Sequence, residues 1–317
     1  MMRVLLALLA LLAAGTAAAQ SFPNRPVRFV VGFTPGGGVD INARLLAAKL
    51  SEQLGQQVVV ENKPGAGTNI ANEYVAKAPA DGYTLLFNSA AFAVNLALYR
   101  NPPYALRDFA PVSVFSESVN LLVVSAPLPA RTLQDLVAMA RERPGSLNYS
   151  SAGAGTTQHM AAELFKLKSG TSIVHVPYKG SAPALTALIA GEVQLSFSNT
   201  VAINQHVRSG RLRALAVAGA RRTDLMPEVP TMKEAGIDGV EVPLWFGLLA
   251  PAATPRDVVQ LLAANVAKAA RSPDIRQKLV DQGADAVGNT PEQFERQLRE
   301  EVARWVEVVK VSGTKAE

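Results

Sequence analysis

The sequence predicts an α/β protein of two open lobes that face each other across a ligand cleft. Three observations carry that expectation. Apolar runs of strand length alternate with amphipathic runs of helix length. A strand, glycine turn and helix at Phe29–Leu54 recur as a unit at Leu147–Lys168. Late in the chain one more strand, WFGLLAP, follows the second block and is needed to complete the first.

The elements follow in order. RFVVGF is an apolar run suited to a strand buried on both faces. TPGGGVD turns it into INARLLAAKLSEQLG, a helix that stops at Gly55. QVVVEN, PGAGTN, IANEYVAKA and YTLLFNS read as strand, turn, helix and strand, and this order calls for a parallel sheet. The second block opens on LLVVSA and a helix capped by Thr132 with Asp135 in its first turn. LNYSSAGAGTT then leads into QHMAAELFKLKSG, followed by IVHVPYKG, APALTALIAG, VQLSFSNT, INQHVRSG and LRALAVAG, again read as a parallel unit. After WFGLLAP, Thr254-Pro255 and Thr290-Pro291 start two helices, the second with a capping box completed by Gln293. Trp245 reads as core near the hinge and Trp305 as a packing residue on the last helix.

These elements divide into residues 20–121 and 241–317 as one discontinuous lobe and 122–240 as the other. The chain is expected to cross near Asn120–Ser125 and near Val240–Phe246. Two crossings suit a cleft that closes on its ligand.

The first nineteen residues read as a cleavable export signal: Arg3, the apolar Val4–Ala14, then Ala17-Ala18-Ala19 before Gln20. The apolar part is shorter than the roughly 20 residues a membrane span requires. The chain has no cysteine, which removes disulfides, thiolate chemistry and a lipid-modified cysteine anchor. A soluble monomer in a bacterial periplasm is the expectation. The net charge of +5 is spread out, and its densest cluster, RSGRLRALAVAGARR, is broken by an apolar strand and lacks aromatic residues. It reads as a solvated rim, not as a nucleic-acid surface.

Ligands of open α/β sheets sit beyond the C-terminal ends of the strands, where helix N-termini offer unpaired N–H groups to an anion. This places Phe33, Pro35, Gly36, Gly37 and Asp40 in the site from the first turn, with Asn88, Ser89 and Ala90 from the strand end beside it. The second lobe contributes Ser151, Ala152, Gly153, Gly155, Thr156 and His159, then Tyr178, and then Ser198, Asn199 and Thr200. Neither large glycine turn contains Lys or Arg, so backbone donors must hold the anion. Lys179, beside Tyr178, suits the ligand or the rim equally. The Thr156 hydroxyl can cap its helix or donate to a ligand. Contact is the preferred reading, because Thr157 and the free turn amides offer other ways to start the helix.

The same residues carry a family resemblance. RFVVGFTPGGGVDINAR, VVVENKPGAGTNIA, APADGYTLLF, NYSSAGAGTTQHMAAELF, HVPYKGSAPALTALIAGEVQLSF, PEVPTMKEAG and WFGLLAPAATP follow one another as in the extracytoplasmic solute receptors of tripartite tricarboxylate transporters, the Bug family. The resemblance covers nearly the whole chain after the leader. It implies a type II periplasmic-binding-protein fold and capture of di- or tricarboxylates, acidic amino acids or aromatic acids. It also implies a ligand held by backbone amides, small polar side chains and bridging waters, and delivery to a membrane permease. Many members carry an acidic residue where this chain has Ser198. An acid without an ammonium group is therefore favoured, with Asp40 left as the residue that could meet a positive charge.

Other chemistries find less support. GAGTTQ lacks the third glycine of a dinucleotide fingerprint, and no cofactor is expected. His159 and Glu163 have a metal-compatible spacing but no second cluster, so no metal is expected, and Glu163 reads as solvated. No G-x-S-x-G elbow is present, and no motif ties a histidine to a serine. The alternatives to a transport receptor are a ligand-dependent partner of a membrane sensor kinase and, behind it, an exported enzyme.

Overall fold

Two mixed sheets, one in each lobe, organise the computed structural model, which describes residues 22–315. The proposed leader, residues 1–19, lies outside the described residues. The first sheet contains β1 (Val27–Val31), β2 (Val58–Asn62), β3 (Thr84–Ser89), β4 (Phe109–Ser118), β10 (Leu244–Pro251) and β11 (Ala284–Ala286), in the order β11-β4-β10-β3-β1-β2. The second contains β5 (Asn120–Ser125), β6 (Asn148–Ser151), β7 (Val174–Pro177), β8 (Leu195–Asn199) and β9 (Leu212–Val217), in the order β7-β6-β8-β5-β9. Helices α1 (Gly38–Leu54), α2 (Asn69–Ala76) and α3 (Ala91–Leu98) follow β1, β2 and β3. In the second lobe α4 (Leu133–Glu142), α5 (Thr157–Ser169), α6 (Ser181–Ala190) and α7 (Thr200–Arg208) follow β5 to β8, and α8 (Arg256–Arg271), α9 (Pro273–Asp281) and α10 (Pro291–Ser312) close the chain.

The sheets are not parallel throughout, as the alternation of elements had suggested. β1 runs parallel to β2 and β3, and β6 parallel to β7 and β8, but β10 is antiparallel to β3 and β5 is antiparallel to β8. The cause is the crossing. β5 and β10 each enter from the other lobe, so they start at the cleft, where β8 and β3 end, and Asn120 stands opposite Asn199 as Phe246 stands opposite Ser89. The first crossing is the single residue Val119, between β4 and β5. Asn120–Ser125, expected to be that crossing, lies wholly inside the second sheet. The second crossing reaches β10 through Pro243.

Four elements escaped the sequence reading, β4, α3, α9 and β11, the first two for physical reasons. β4 contains Pro111, which cannot donate to a sheet ladder and sits at a register shift against Leu249. α3, AFAVNLAL, is apolar apart from Asn95 and has no helical stripe. Both matter to the architecture. Ala93, Val94 and Leu98 of α3 pack into the core of the second lobe, as does Trp305 of α10, although Phe294 and Leu298 of the same helix lie in a core of the first. The two helices therefore brace the lobes against each other.

A buried carboxyl lies behind the crossing. Trp245 Nε1 donates to both oxygens of Glu301 at 2.9 Å, and Gln297 Nε2 donates to the same carboxyl at 3.2 Å. Burial pushes the Glu301 pKa up to about 7, against the opposing effect of those hydrogen bonds and of Arg304; Glu117 on β4 adds to the rise. Because the folded pKa is raised, the stability that the protonated form confers is complete below about pH 4.5 and is lost as pH rises through 7. Glu301→Gln should therefore melt close to wild type at pH 5 and above it at pH 8. The difference should approach, at most, about 3 kcal/mol by linkage, and denaturant titrations at the two pH values measure it.

Candidate functional site

The first turn is built around Asp40. Asn62 Nδ2 donates to the Phe33 carbonyl and to Asp40 Oδ1, both at 2.9 Å, while Gly36 N–H donates to Asp40 Oδ2 at 2.9 Å and Arg44 Nε at 3.0 Å. Burial pushes this carboxyl up, but the hydrogen bonds from Arg44, Gly36 and Asn62 and the Arg44 charge outweigh it, and the pKa falls below the ordinary aspartate value. Asp40 thus shapes the loop, and its buried carboxylate is already paired with the Arg44 guanidinium. Gly37 is the N-cap of α1, and no side chain caps that helix. Its first-turn N–H groups have no partner inside the helix, and Pro35 leaves them uncovered by a side-chain donor or acceptor of its own.

The second turn, Pro64–Thr68, is held in left-handed backbone at Ala66 (φ 46°), Gly67 (φ 61°) and Thr68 (φ 87°). Two of these are not glycine, which marks stored strain. Three asparagines hold it. Asn72 and Asn88 donate to Thr68 Oγ1 at 3.1 and 3.3 Å, and Asn95 Nδ2 donates to the Gly67 carbonyl. Asn88, expected at the ligand, is instead fully buried in this network, with its own Oδ1 taking the Ser89 N–H. Ala91 N–H donates to Ser89 Oγ at 3.4 Å just ahead of α3, whose N-cap is the buried Ala90.

The third turn folds onto itself. Ala152 N–H donates to Gln158 Oε1 (2.7 Å), Gly153 N–H to Ser151 Oγ (3.1 Å) and Gly155 N–H to His159 Nδ1 (3.2 Å). The turn amides expected to hold an anion are therefore largely spent. Thr156 caps α5: its hydroxyl donates to the Gly153 carbonyl at 2.8 Å and accepts from His159 N–H at 3.3 Å. Its one proton is committed, so the capping role replaces the ligand contact preferred from sequence. His159 is buried, and burial lowers its pKa to about 4. Since Nδ1 accepts from Gly155, the ring is neutral and locks the turn. It stacks on His175 (4.4 Å), which stacks in turn on Tyr149 (4.7 Å).

Two further expectations are corrected here. Glu163 is not solvated: it accepts from the Tyr149 hydroxyl at 2.6 Å and pairs with Lys166 at 2.8 Å. Ser151 does meet a histidine, with Oγ 2.7 Å from His175 Nε2. The serine is fully buried and also receives the Gly153 N–H, so the pair joins β7 to the turn and presents no nucleophile.

At the end of β8, Ser198 meets Ser196 (3.1 Å), and Asn199 caps α7 through Ala202 N–H (3.0 Å). Thr200 turns away from the cleft: its hydroxyl donates to the Gly283 carbonyl and meets Ser118 Oγ, tying the lobes at the crossing.

The lobes are shut on one another along glycines. A Cβ on Gly67 would collide with the Ala154 carbonyl oxygen, one on Gly155 with Asn95 Oδ1, and one on Gly180 with Thr34 Oγ1. A Cβ on Gly38 would lie 2.6 Å from Asn199 Oδ1, and one on Gly37 3.3 Å from Ser181. Between the lobes remains a cavity of 220 Å³. Gly32, the Gly65–Thr68 turn and Tyr99 line it from one side; Ala152–Ala154 and Pro177–Lys179 line it from the other. Of the expected residues, Ala152, Gly153 and Tyr178 face this cavity, and Gly36, Gly37 and Asn199 stand at the seam beside it. Thr34, Gly67, Thr68, Asn95 and Ser181 were missed. PGAGTN was visible as a glycine turn, but nothing in the sequence placed it against the second lobe.

The chain resembles known proteins over nearly its full length. The family model described as tripartite tricarboxylate transporter family receptor matches residues 42–314. Protein BugT of Bordetella pertussis is 39% identical over 305 residues, covering 95% of this chain and 94% of that protein. Among solved structures, R. palustris Rpa4515 with adipate is 41% identical at a TM-score of 0.89, covering 92% of this chain and 98% of that one. MatC from Rhodopseudomonas palustris with bound malate is 33% identical at 0.88, covering 91% and 100%.

Capping by Thr156 has a direct consequence. Thr156→Ala should lower unfolding stability by about 1 kcal/mol, whereas Thr156→Ser, which keeps the hydroxyl, should retain most of it. Chemical denaturation of the three proteins measures the effect.

Proposed function

Because the chain belongs to the tripartite tricarboxylate transporter receptor family, we propose that it captures a small carboxylate between its lobes and delivers it to the membrane subunits of such a transporter. The family is one of substrate receptors, and binding without turnover is the activity proposed. On this reading the protein is exported to the periplasm, works as a monomer and carries no cofactor or metal.

One observation carries the proposal. The cleft is closed by glycines of each lobe packing against the other, no side chain caps the helix N-terminus at its seam, and no acidic side chain lines its cavity. Such a site offers N–H donors and a helix dipole to an anion and nothing to a cation. The cavity is below the range of roughly 300–1,000 Å³ typical of drug-sized ligands, which suits a compact organic acid. The adipate and malate bound by the two R. palustris proteins are acids of that kind. Hydrogen bonds to a charged acceptor contribute about 1.5–3 kcal/mol each, so a few of them support micromolar affinity after the cost of association.

A thermal-shift screen over aliphatic diacids, hydroxy acids, aromatic acids, sugars and amino acids tests the proposal. A carboxylic acid at 100 times its Kd should stabilise the protein by about 2.7 kcal/mol. Stabilisation by sugars or cationic amino acids alone would overturn it.

Closure is tested separately by two glycines with similar backbone and different surroundings. Gly67 (φ 61°) faces the Ala154 carbonyl, while Gly55 (φ 66°) has nothing within 4 Å. Alanine at either should cost about 1–2 kcal/mol through the left-handed backbone. Only Gly67→Ala should also weaken acid binding, by about tenfold or more, and enlarge the radius of gyration of the acid-saturated protein. Equal affinity for the two variants in calorimetry would show that the seam need not close.

A further inference from the structure

The geometry points to a second binding site, at the crossings, for a small organic cation: an ammonium on a short aliphatic chain, held by the Glu117 carboxylate and touching both lobes. It does not depend on which ligand the cleft takes. Space, unmet charge and position each argue for it.

A cavity of 440 Å³, twice the volume of the one in the cleft, lies where the chain passes between the sheets. It falls within the range of roughly 300–1,000 Å³ typical of small-molecule sites. No residue lines both cavities. The end of β4, the Gly283–Asp285 segment and Arg304 of α10 form one wall, and the Gly219–Leu225 loop after β9 forms the other. Val119 and Pro243, on the two crossings, line it as well. The walls are in contact: a Cβ on Gly283 would lie 2.8 Å from Leu225, and one on Gly219 3.0 Å from Val119. Leu225, Val242 and Val280 supply apolar lining, and Val280 is 54% exposed. A short hydrocarbon chain would remove that surface from water.

Four carboxylates and three arginines line the cavity, and the arginines are engaged. Arg221 donates to Asp285 at 2.5 Å and lies 3.9 Å from Asp224. Arg222 donates to Glu234 and to the Pro227 carbonyl, both at 2.8 Å. Arg304 donates to the Glu241 carbonyl, and its charge bears on the buried Glu301. Glu117 and Glu241 remain, and among the described residues neither carboxylate forms an ion pair. Loss of water and the Asp285 charge push the Glu117 carboxyl above the ordinary glutamate value, against a hydrogen bond from Gln297. A carboxylate short of water and beside a like charge is the group that a cation stabilises. An anion would meet two unpaired carboxylates and arginines already in use.

Position gives the site a consequence. Glu117 belongs to the first sheet and Leu225 to the loop that leaves the second. An occupant that touches both favours the lobe angle at which the cavity has this shape.

Amide chemical-shift titration with n-butylammonium chloride tests the site, at constant ionic strength, beside n-butanol and sodium butyrate. Wild type, Glu117→Gln and Glu192→Gln are compared, Glu192 being an exposed carboxylate outside the cavity. Butylammonium should saturate wild type with a Kd of roughly millimolar size, as befits so small a ligand. It should move the amides of Ser118, Ala220, Leu225 and Ala284, on both walls, and leave Ala152–Ala154 in the cleft unmoved. Glu117→Gln should weaken it about tenfold and Glu192→Gln by less than about twofold, while butanol and butyrate bind wild type at least about tenfold more weakly. Unliganded melts of both variants should match wild type, so that a lost site is told from a lost fold. No saturation by about 50 mM, shifts scattered over surface carboxylates, equal binding of butanol, or undiminished affinity in Glu117→Gln would each overturn the assignment.

Discussion

Two backbones can approach within hydrogen-bonding distance of each other only where no Cβ stands between them, and the closed form of this protein depends on that exclusion. Gly67 lets the Pro64–Thr68 turn press against Ala154, Gly155 lets the same turn of the second lobe press against Asn95 of α3, and Gly180, Gly37 and Gly38 do the same along the first turn. Much of this glycine usage follows from the seam rather than from chain flexibility. Gly37 and Gly38 are outside the positive-φ region, yet a side chain at either would meet the opposite lobe. Shape is set by what is missing from these residues, and the small cavity is what remains after the turns have met.

Turns that carry no large side chains need rigid support from behind, and buried polar groups provide it. Asp40 gathers Gly36, Asn62 and Arg44 into one knot, and Thr68 is held in a strained conformation by Asn72 and Asn88 with Asn95 beside them. In the second lobe Gln158, Ser151 and His159 each take one amide of the glycine turn. The outcome is asymmetric. The α5 turn satisfies most of its own donors, whereas no side chain caps the α1 N-terminus. Two turns that look alike in sequence thus have different work.

The crossing region has its own physical logic. β4 passes into β5 through one residue, and β10 returns beside both β4 and β3, so any change in lobe angle acts on strands that are hydrogen-bonded into the sheets almost to the hinge. Thr200 and Ser118 join there, and Trp245 anchors β10 to α10 through Glu301. α10 then continues onto the second lobe, where Trp305 is buried. Opening must therefore be accommodated by side-chain rearrangement at α10 and α3 as well as by rotation about the crossings.

The sequence by itself determined the alternation of strands and helices, the recurring strand–turn–helix unit, the return of WFGLLAP to the first sheet and the caps at Thr132 and Thr290. Each depends on contacts within a few residues: hydrophobic period, proline and glycine positions, and hydroxyl-to-amide bonds. It also brought the first and third glycine turns into view as parts of a site. Only the tertiary structure decided the antiparallel direction of β5 and β10, which follows from where the chain crosses, and the inward turn of Asn88, which depends on Thr68 and Asn72 lying behind it. The same holds for Thr156, whose proton goes to a carbonyl three residues away that becomes its partner only once Gly153 adopts left-handed backbone. Local pattern tells which groups can donate; which of them remain free is fixed by neighbours distant in the chain.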